Sequence, residues 1–295
     1  MESFFSFLER RVDDSSSLLC VGLDPHIPDL IGADGHSPTA ASALDFCLNL
    51  VKQTAPYAAA FKPNAAFFEV FGADGWAALK QVIDAIHEES NRLGSKIPII
   101  LDAKRGDIAS TAEAYAKSAF ENLGVDCITL SPYLGKDSIE PFIKNQEKGV
   151  FLLCKTSNPG SGDLQDLTVD RGRWMDETKQ STVNGQRSMP LYEYVAHLAQ
   201  QWNTKNNIGL VVGATHTDAM KRVRAAAPDL WFLVPGVGTQ GGDLESAMRA
   251  GLGQDGRGML INVSRSIARA DNPKRAAAEM RDQILEIRSS MFGKR

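Results

Sequence analysis

The stretch Ile97-Pro-Ile-Ile-Leu101-Asp102-Ala-Lys104-Arg-Gly-Asp107-Ile108 runs from apolar residues straight into a cluster of charges, among them Asp102, Lys104 and Asp107. A strand has a side-chain period of two, so Asp102 and Lys104 share a face. Gly106 then turns the chain, and Asp107 falls at the mouth where the strand ends. Charges are costly at a strand end unless paired or used. An ammonium held between carboxylates stays protonated, which suits delivery of a proton to a strongly basic carbon. The segment therefore reads as a buried strand that delivers chemistry at its C-terminal end.

Seven similar apolar runs recur along the chain: Leu18–Leu23, Ala58–Phe61, Asp126–Leu130, Val150–Cys154, Ile208–Val212, Leu230–Val234 and Met259–Val263. Helical patterns separate them. Ser110 with Glu113 predicts a capping box, with Gly124 as the stop. Asp137 with Glu140 predicts a second such box. Asp243 predicts a cap after the seventh strand, and Asn272-Pro273 a cap followed by proline at the first helical position. Strands that alternate with helices and are apolar on both faces imply a parallel sheet covered by helices. Eight such units predict an α/β fold, a single (β/α)8 TIM barrel spanning residues 1–295 as one domain. A doubly wound open sheet is the other arrangement with this alternation. Phe4, Leu8 and Val12, with Phe5 beside them, predict a short leading helix. Residues 158–189 are polar, lack helical period and predict a long insertion after strand five, on the active-site side.

The overall balance narrows the function. The 295 residues carry 32 Lys and Arg against 36 Asp and Glu, a formal net charge of −4. That gives no field for nucleic acid or an anionic membrane. No apolar run approaches the ~20 residues of a membrane span, and the N-terminus does not read as a signal peptide. Cys20, Cys47, Cys127 and Cys154 form no CxxC pair. Three of them sit in strand-like runs, so reduced core thiols and a cytoplasmic location are expected. The five histidines show no metal-pair spacing, and neither a metal nor an organic cofactor is indicated.

Polar residues follow the other runs as well: Asp24 after the first, Lys62 after the second, Ser131 after the fourth and Lys155-Thr-Ser-Asn158 after the fifth. After the seventh comes Pro235-Gly236-Val-Gly238-Thr-Gln240-Gly241-Gly242, and after the eighth Asn262-Val-Ser-Arg265. Loops after strands seven and eight of such a barrel commonly cradle phosphate, with backbone N–H groups and a guanidinium as donors. Gly236-x-Gly-x-x-Gly241 also fits a dinucleotide fingerprint, but it lies late in the chain and lacks the acid expected about twenty residues on. Arg105-Gly-Asp107 and the sequon at Asn262 are incidental.

Together, Asp24, Lys62, Asp102-x-Lys104-x-x-Asp107, the Pro-Gly-Val-Gly-Thr-Gln-Gly-Gly loop and Arg265-Ser-Ile resemble the orotidine 5'-phosphate decarboxylase family, over nearly the whole chain. The wording around Asp102 and the insertion resemble its longer bacterial subclass. The resemblance implies a homodimeric, cofactor-free barrel that converts orotidine monophosphate to UMP and carbon dioxide, the last step of de novo pyrimidine nucleotide synthesis. It implies a charged tetrad of Lys62, Asp102, Lys104 and Asp107, with Asp107 reaching into the partner's site and Lys104 protonating C6. It also implies ribose contacts from Asp24 and Lys62 and a pyrimidine-edge contact from Ser131. It implies phosphate contacts from Arg265 and from Gln240, the latter in the glycine loop of Gly238 and Gly241 that closes as a lid. Sister barrels acting on sugar phosphates share the Asp-x-Lys-x-x-Asp element, and a noncatalytic nucleotide-binding module is a third reading. Turnover of orotidine monophosphate in chelator, with none of sugar phosphates, separates the first two, and UMP binding without turnover marks the third.

Overall fold

The computed structural model describes residues 2–31, 37–170, 188–238 and 241–293. Eight strands follow the eight apolar runs: β1 (Leu19–Leu23), β2 (Ala60–Pro63), β3 (Ile100–Arg105), β4 (Cys127–Leu130), β5 (Gly149–Lys155), then β8 (Ile208–Val212), β9 (Phe232–Val234) and β10 (Met259–Val263). Between β5 and β8 lie two short strands, β6 (Thr168–Asp170) and β7 (Ser188–Pro190). The eight long-range strands pair in parallel in the order β2-β1-β10-β9-β8-β5-β4-β3. Isolated parallel bridges join Phe61 to Ile99 and Asn64 to Asp102, so the two ends of the sheet meet. The Phe61 N–H donates to the Pro98 carbonyl (3.0 Å) and the Ala65 N–H to the Asp102 carbonyl (3.1 Å) across that seam. The result is the eight-stranded barrel, not the open sheet.

Three strands run past the ends of their apolar runs, β5 by one residue to Lys155. β2 starts two residues late and carries on through Lys62 and Pro63. β3 continues past Leu101 to Arg105, passing from buried Leu101 through half-buried Asp102 to exposed Lys104. The charged residues thus stand on strand backbone, a stiffer platform than a loop.

Several expected helix signals behave as predicted. Asp243 accepts from the Ser246 N–H (2.8 Å) and Asn272 from the Arg275 N–H (2.9 Å), with Pro273 opening the last helix. Gly124 ends its helix in the left-handed region, at φ 81°. Both capping boxes are absent. The helix after β3 spans Ala109–Lys117, with Ile108 extended at its N-cap, so Ser110 already lies inside the first turn. The Asp137 segment is a 3-10 turn (Lys136–Ser138) that Pro141 separates into a one-turn helix, Glu140–Ile143. The described ends of the insertion are also more ordered than expected. They hold a one-turn helix (Gly162–Gln165) and the antiparallel pair of β6 and β7, while residues 171–187 lie outside the described residues.

The leading helix, Phe4–Ser15, lies across the N-terminal end of the barrel. Phe4 and Phe5 are fully buried. The Phe5 ring stacks on Trp231 (6.2 Å between centroids) and meets Phe151 edge-on (5.5 Å). Buried Arg11 donates to the carbonyls of Ala55 and Ala58, and the Phe4 N–H donates to the Gln146 carbonyl (2.8 Å). Gly149 is required here, because a Cβ at that position meets the Phe4 ring at 2.2 Å. Gly149→Ala is expected to destabilise the protein by about 1–3 kcal/mol through overpacking, read as a lower urea midpoint with the barrel's circular dichroism retained. An unchanged midpoint contradicts the packing described.

Candidate active site

At the C-terminal end of the barrel lies a cavity of about 720 Å³, within the range of small-molecule sites. All eight barrel strands contribute to its lining. β1 leads to Asp24 and His26, β2 supplies Lys62 and Asn64, β3 Asp102 and Lys104, and β4 Thr129. β5 supplies Leu153 and leads to Thr156 and Ser157. Val211, Leu233, Asn262 and Arg265 complete the wall from β8, β9 and β10. A cleft of similar size at the opposite end is floored by Arg224, whose guanidinium is already engaged by five backbone carbonyls.

Asp102 is the electrostatic centre. Lys62 Nζ donates to its Oδ2 (2.7 Å), and Lys104 Nζ donates to its Oδ1 (2.6 Å). The Lys62 and Asp102 side chains are only 5% and 13% exposed, whereas Lys104 is half-exposed to the open cavity. Burial works to raise the Asp102 carboxyl, but the two ammonium groups overcome it and hold the carboxyl well below the usual range. Burial likewise works against the Lys62 ammonium, and Asp102 and Asp24 overcome it, raising Lys62 above an ordinary lysine. Lys104 occupies the left-handed region at φ 47°, which costs a non-glycine residue about 1–2 kcal/mol. The β3–β4 pairing also slips register between Leu101 and Arg105. Cys20 lies close enough to feel the charges of Lys62 and Asp102, yet it is no nucleophile: burial pushes its thiol up to about 12.

The expected site residues divide into those the barrel gathers and those it does not. Asp24, Lys62, Asp102, Lys104 and Arg265 converge on the cavity. Asp107 does not line it; its Oδ1 accepts the N–H of Ile108 (2.8 Å) at the outer edge of the β3 mouth. Ser131 does not line it either. Its N–H is tied to the Arg105 carbonyl (2.7 Å), and its side chain packs where a Gly106 Cβ would stand. Gly238 and Gly241 stand apart from the lining as well. Both take positive φ (72° and 84°), and their N–H groups turn inward to the carbonyls of Gly242 and Gly238. Instead Gly236 and Val237 face the cavity. Gln240 lies outside the described residues.

Three lining residues with unspent polar groups or hidden bonds, Ser157, Asn262 and Thr129, had been assigned no role from the sequence. Ser157 Oγ and Asn262 Oδ1 are buried without a hydrogen-bond partner among the described residues, as is Asp24 Oδ1. Buried polar atoms in native proteins are ordinarily satisfied, so orphans around a cavity mark ligand positions. Ser157 had a readable signal, since it follows the fifth apolar run within Cys154-Lys-Thr-Ser157. Thr129 and Asn262 had none, because they sit within runs that read as plain strand.

A closed parallel barrel with ionised groups gathered at its C-terminal mouth defines a (β/α)8 enzyme class in which the site lies above the strand ends. Residues 17–280 match the Orotidine 5'-phosphate decarboxylase / HUMPS family, and the chain belongs to that family. A relative from Roseiflexus castenholzii named orotidine 5'-phosphate decarboxylase is 45% identical over 98% of this chain and 97% of its own length. The structure of Leishmania donovani OMP decarboxylase is 51% identical, with a TM-score of 0.80 over 97% of this chain and 99% of that one. Leishmania donovani UMP synthase is 51% identical with a TM-score of 0.81, covering 98% of this chain and 57% of that longer protein.

The pH dependence of stability follows from Asp102. Its folded carboxyl titrates below the unfolded value of about 3.9, so its ionised form contributes stability at every pH above about 4 and loses that contribution as pH falls through the folded value. Asp102→Asn leaves Lys62 buried beside a neutral amide and is expected to cost about 3–5 kcal/mol at pH 7. Urea unfolding at pH 7 and at pH 2.5 (about 1.5 units below the unfolded value) checks this. The penalty should shrink at the lower pH, and an equal penalty at both contradicts an ionised Asp102.

Proposed function

We propose that the cavity binds orotidine 5'-monophosphate and releases it as UMP and carbon dioxide. The observation that carries this reading is the Lys62–Asp102–Lys104 array standing at the mouth of a cavity that also holds Arg265. The names carried by the relatives supply the choice between the two arms of the family description.

In this reading the phosphate meets the Arg265 guanidinium, and the ribose hydroxyls meet Asp24 and Lys62. The orphaned Asp24 Oδ1 is an acceptor awaiting such a hydroxyl. The pyrimidine lies toward Lys104 and Ser157. Ser157 takes the edge contact expected of Ser131, because its hydroxyl is the unsatisfied one at the cavity wall. The bond between C6 and its carboxylate breaks, carbon dioxide leaves, and the electron pair stays on C6. The fixed Lys104 ammonium stabilises that developing charge. It then gives C6 a proton and regains one from solvent, to which the half-exposed side chain is open. Asp102 lies beside the departing carboxylate, so like-charge proximity favours its loss.

We further propose a homodimer in which the partner supplies Asp107. Asp107 is absent from the lining of its own chain's cavity, and the segments that follow β2, β3 and β4 expose large apolar side chains: Val70, Ile108, and Tyr133 with Leu134. Glu69 and Arg105, bonded to each other at 2.6 Å, tie the ends of β2 and β3 together in that region. The four buried free thiols fit a reducing compartment, and the cytoplasm is the location proposed. Among the described residues no helix is long and apolar enough to cross a membrane.

Lys104→Ala is expected to abolish UMP formation, followed as loss of orotidine monophosphate absorbance, with the fold retained; substantial residual turnover removes Lys104 from the proton-donor role. Arg265→Ala should weaken UMP binding by about 2–3 kcal/mol, the loss of a charge-assisted contact, measured by calorimetry. The shared site gives a sharper test. Lys104→Ala and Asp107→Ala subunits, each inactive alone, form on mixing heterodimers with one intact site. Random reassortment should restore about a quarter of wild-type activity. No recovery after verified subunit exchange rules out the shared arrangement.

A further inference from the structure

The charged residues of the cavity have roles in the proposed chemistry, but the group that touches two of them at once is neutral. Thr129 lies on β4 and is 1% exposed. Its Oγ1 accepts the N–H of Ala103 (3.1 Å) and the N–H of Lys104 (3.0 Å), and donates to Asp102 Oδ1 (3.0 Å). That oxygen is the one that receives the Lys104 ammonium. The bonds fall where the β3–β4 ladder slips register and where Lys104 takes its left-handed backbone. In a regular parallel ladder a β4 carbonyl accepts from β3 at evenly spaced positions. At the slip, a side-chain hydroxyl does so instead.

One hydroxyl therefore fixes both ends of the Lys104–Asp102 contact. Through two amides it stabilises the turned backbone from which the Lys104 side chain departs. Through Oδ1 it sets the torsion of the carboxylate that receives the ammonium. We infer that Thr129 is a positioning residue for the proton donor, acting on Lys104 and Asp102 by hydrogen bonds and not on the substrate by contact. The inference rests on reading the cavity as a decarboxylase site.

Thr129→Val keeps the shape and removes the hydroxyl, leaving two N–H groups without their acceptor. Thr129→Ser keeps the hydroxyl and removes one methyl. With orotidine monophosphate as substrate, the valine variant is expected to lose kcat by about 100-fold, the scale of an ångström's misplacement at a reacting centre. Its KM and its affinity for UMP should shift much less. The serine variant should keep kcat near wild type even where its thermal midpoint falls as far as that of the valine variant. A valine variant as active as wild type, or a serine variant as impaired as valine, overturns the positioning role.

Amide hydrogen exchange provides a readout independent of turnover. Exchange at Ala103 and Lys104 should be at least about tenfold faster in Thr129→Val, since the acceptor holding them closed is gone, and near wild type in Thr129→Ser. Unchanged exchange in the valine variant also overturns the inference. Should Thr129→Val fail to fold, Thr129→Ala, which leaves room for water at the amides, replaces it in both measurements with the same expectations. Absence of turnover by the wild-type protein defeats the functional reading alone, leaving the exchange result to decide the geometry.

Discussion

A carboxylate with little solvent access cannot stay ionised unless cations and hydrogen-bond donors surround it, and much of this barrel's upper half meets that demand around Asp102. Lys62 comes from β2, Lys104 from β3 two residues beyond Asp102, and Thr129 from β4. Three adjacent strands must therefore end at matched heights. The bridge between Asn64 and Asp102, which closes the barrel seam, is placed at the level of the ion pairs. Closure of the sheet and assembly of the charge array are thus one geometric event. A slip of one residue at that seam would turn Asp102 away from Lys62, since side chains alternate along a strand.

The division between the two ends of the molecule follows from the same constraint. The N-terminal end is sealed by aromatic packing, with Phe4, Phe5 and Trp231 filling space and Arg224 satisfying carbonyls at the ends of neighbouring strands. The C-terminal end carries orphaned polar atoms, a left-handed lysine and an interrupted ladder. Such departures from regular structure cost stability and persist where surrounding structure over-determines them. Here the packed lower half and the ion pairs supply that surplus.

How much of this was legible in the sequence depends on how local each cause is. The eight strands were readable because a strand buried on both faces must be apolar throughout, and runs such as Ile208–Val212 have few other uses. Asp24, Lys62, Asp102, Lys104 and Arg265 were readable because a charge directly after such a run needs a reason. Ser131 and Ser157 follow their strands in the same way, and nothing local separates them. Which one faces the cavity depends on how β4 and β5 end in three dimensions. Thr129 was invisible for the opposite reason: β-branched residues suit strands, so its type carries no signal. The capping boxes failed because the chain enters those helices at Ile108 and through Pro141, geometry that tight turns impose and residue spacing alone does not reveal. Gly238 and Gly241 were expected to offer their N–H groups to phosphate, but those groups serve the loop itself.

The leading helix has a consequence for how the chain matures on the ribosome. Residues 4 to 15 are synthesised well before the surfaces that receive them: Gln146, Phe151, Asn206 and Trp231. Until those emerge, Phe4 and Phe5 have no burial partners, and a greasy amphipathic segment stays tethered and solvent-exposed for most of translation. Contacts so distant along the chain form late, because a long loop must close first. Growing chains of this protein are therefore the form most prone to mispairing with one another or to capture by a chaperone. Docking of the first helix against Trp231 can precede barrel closure, because β10, which joins β1 to β9, is synthesised later still.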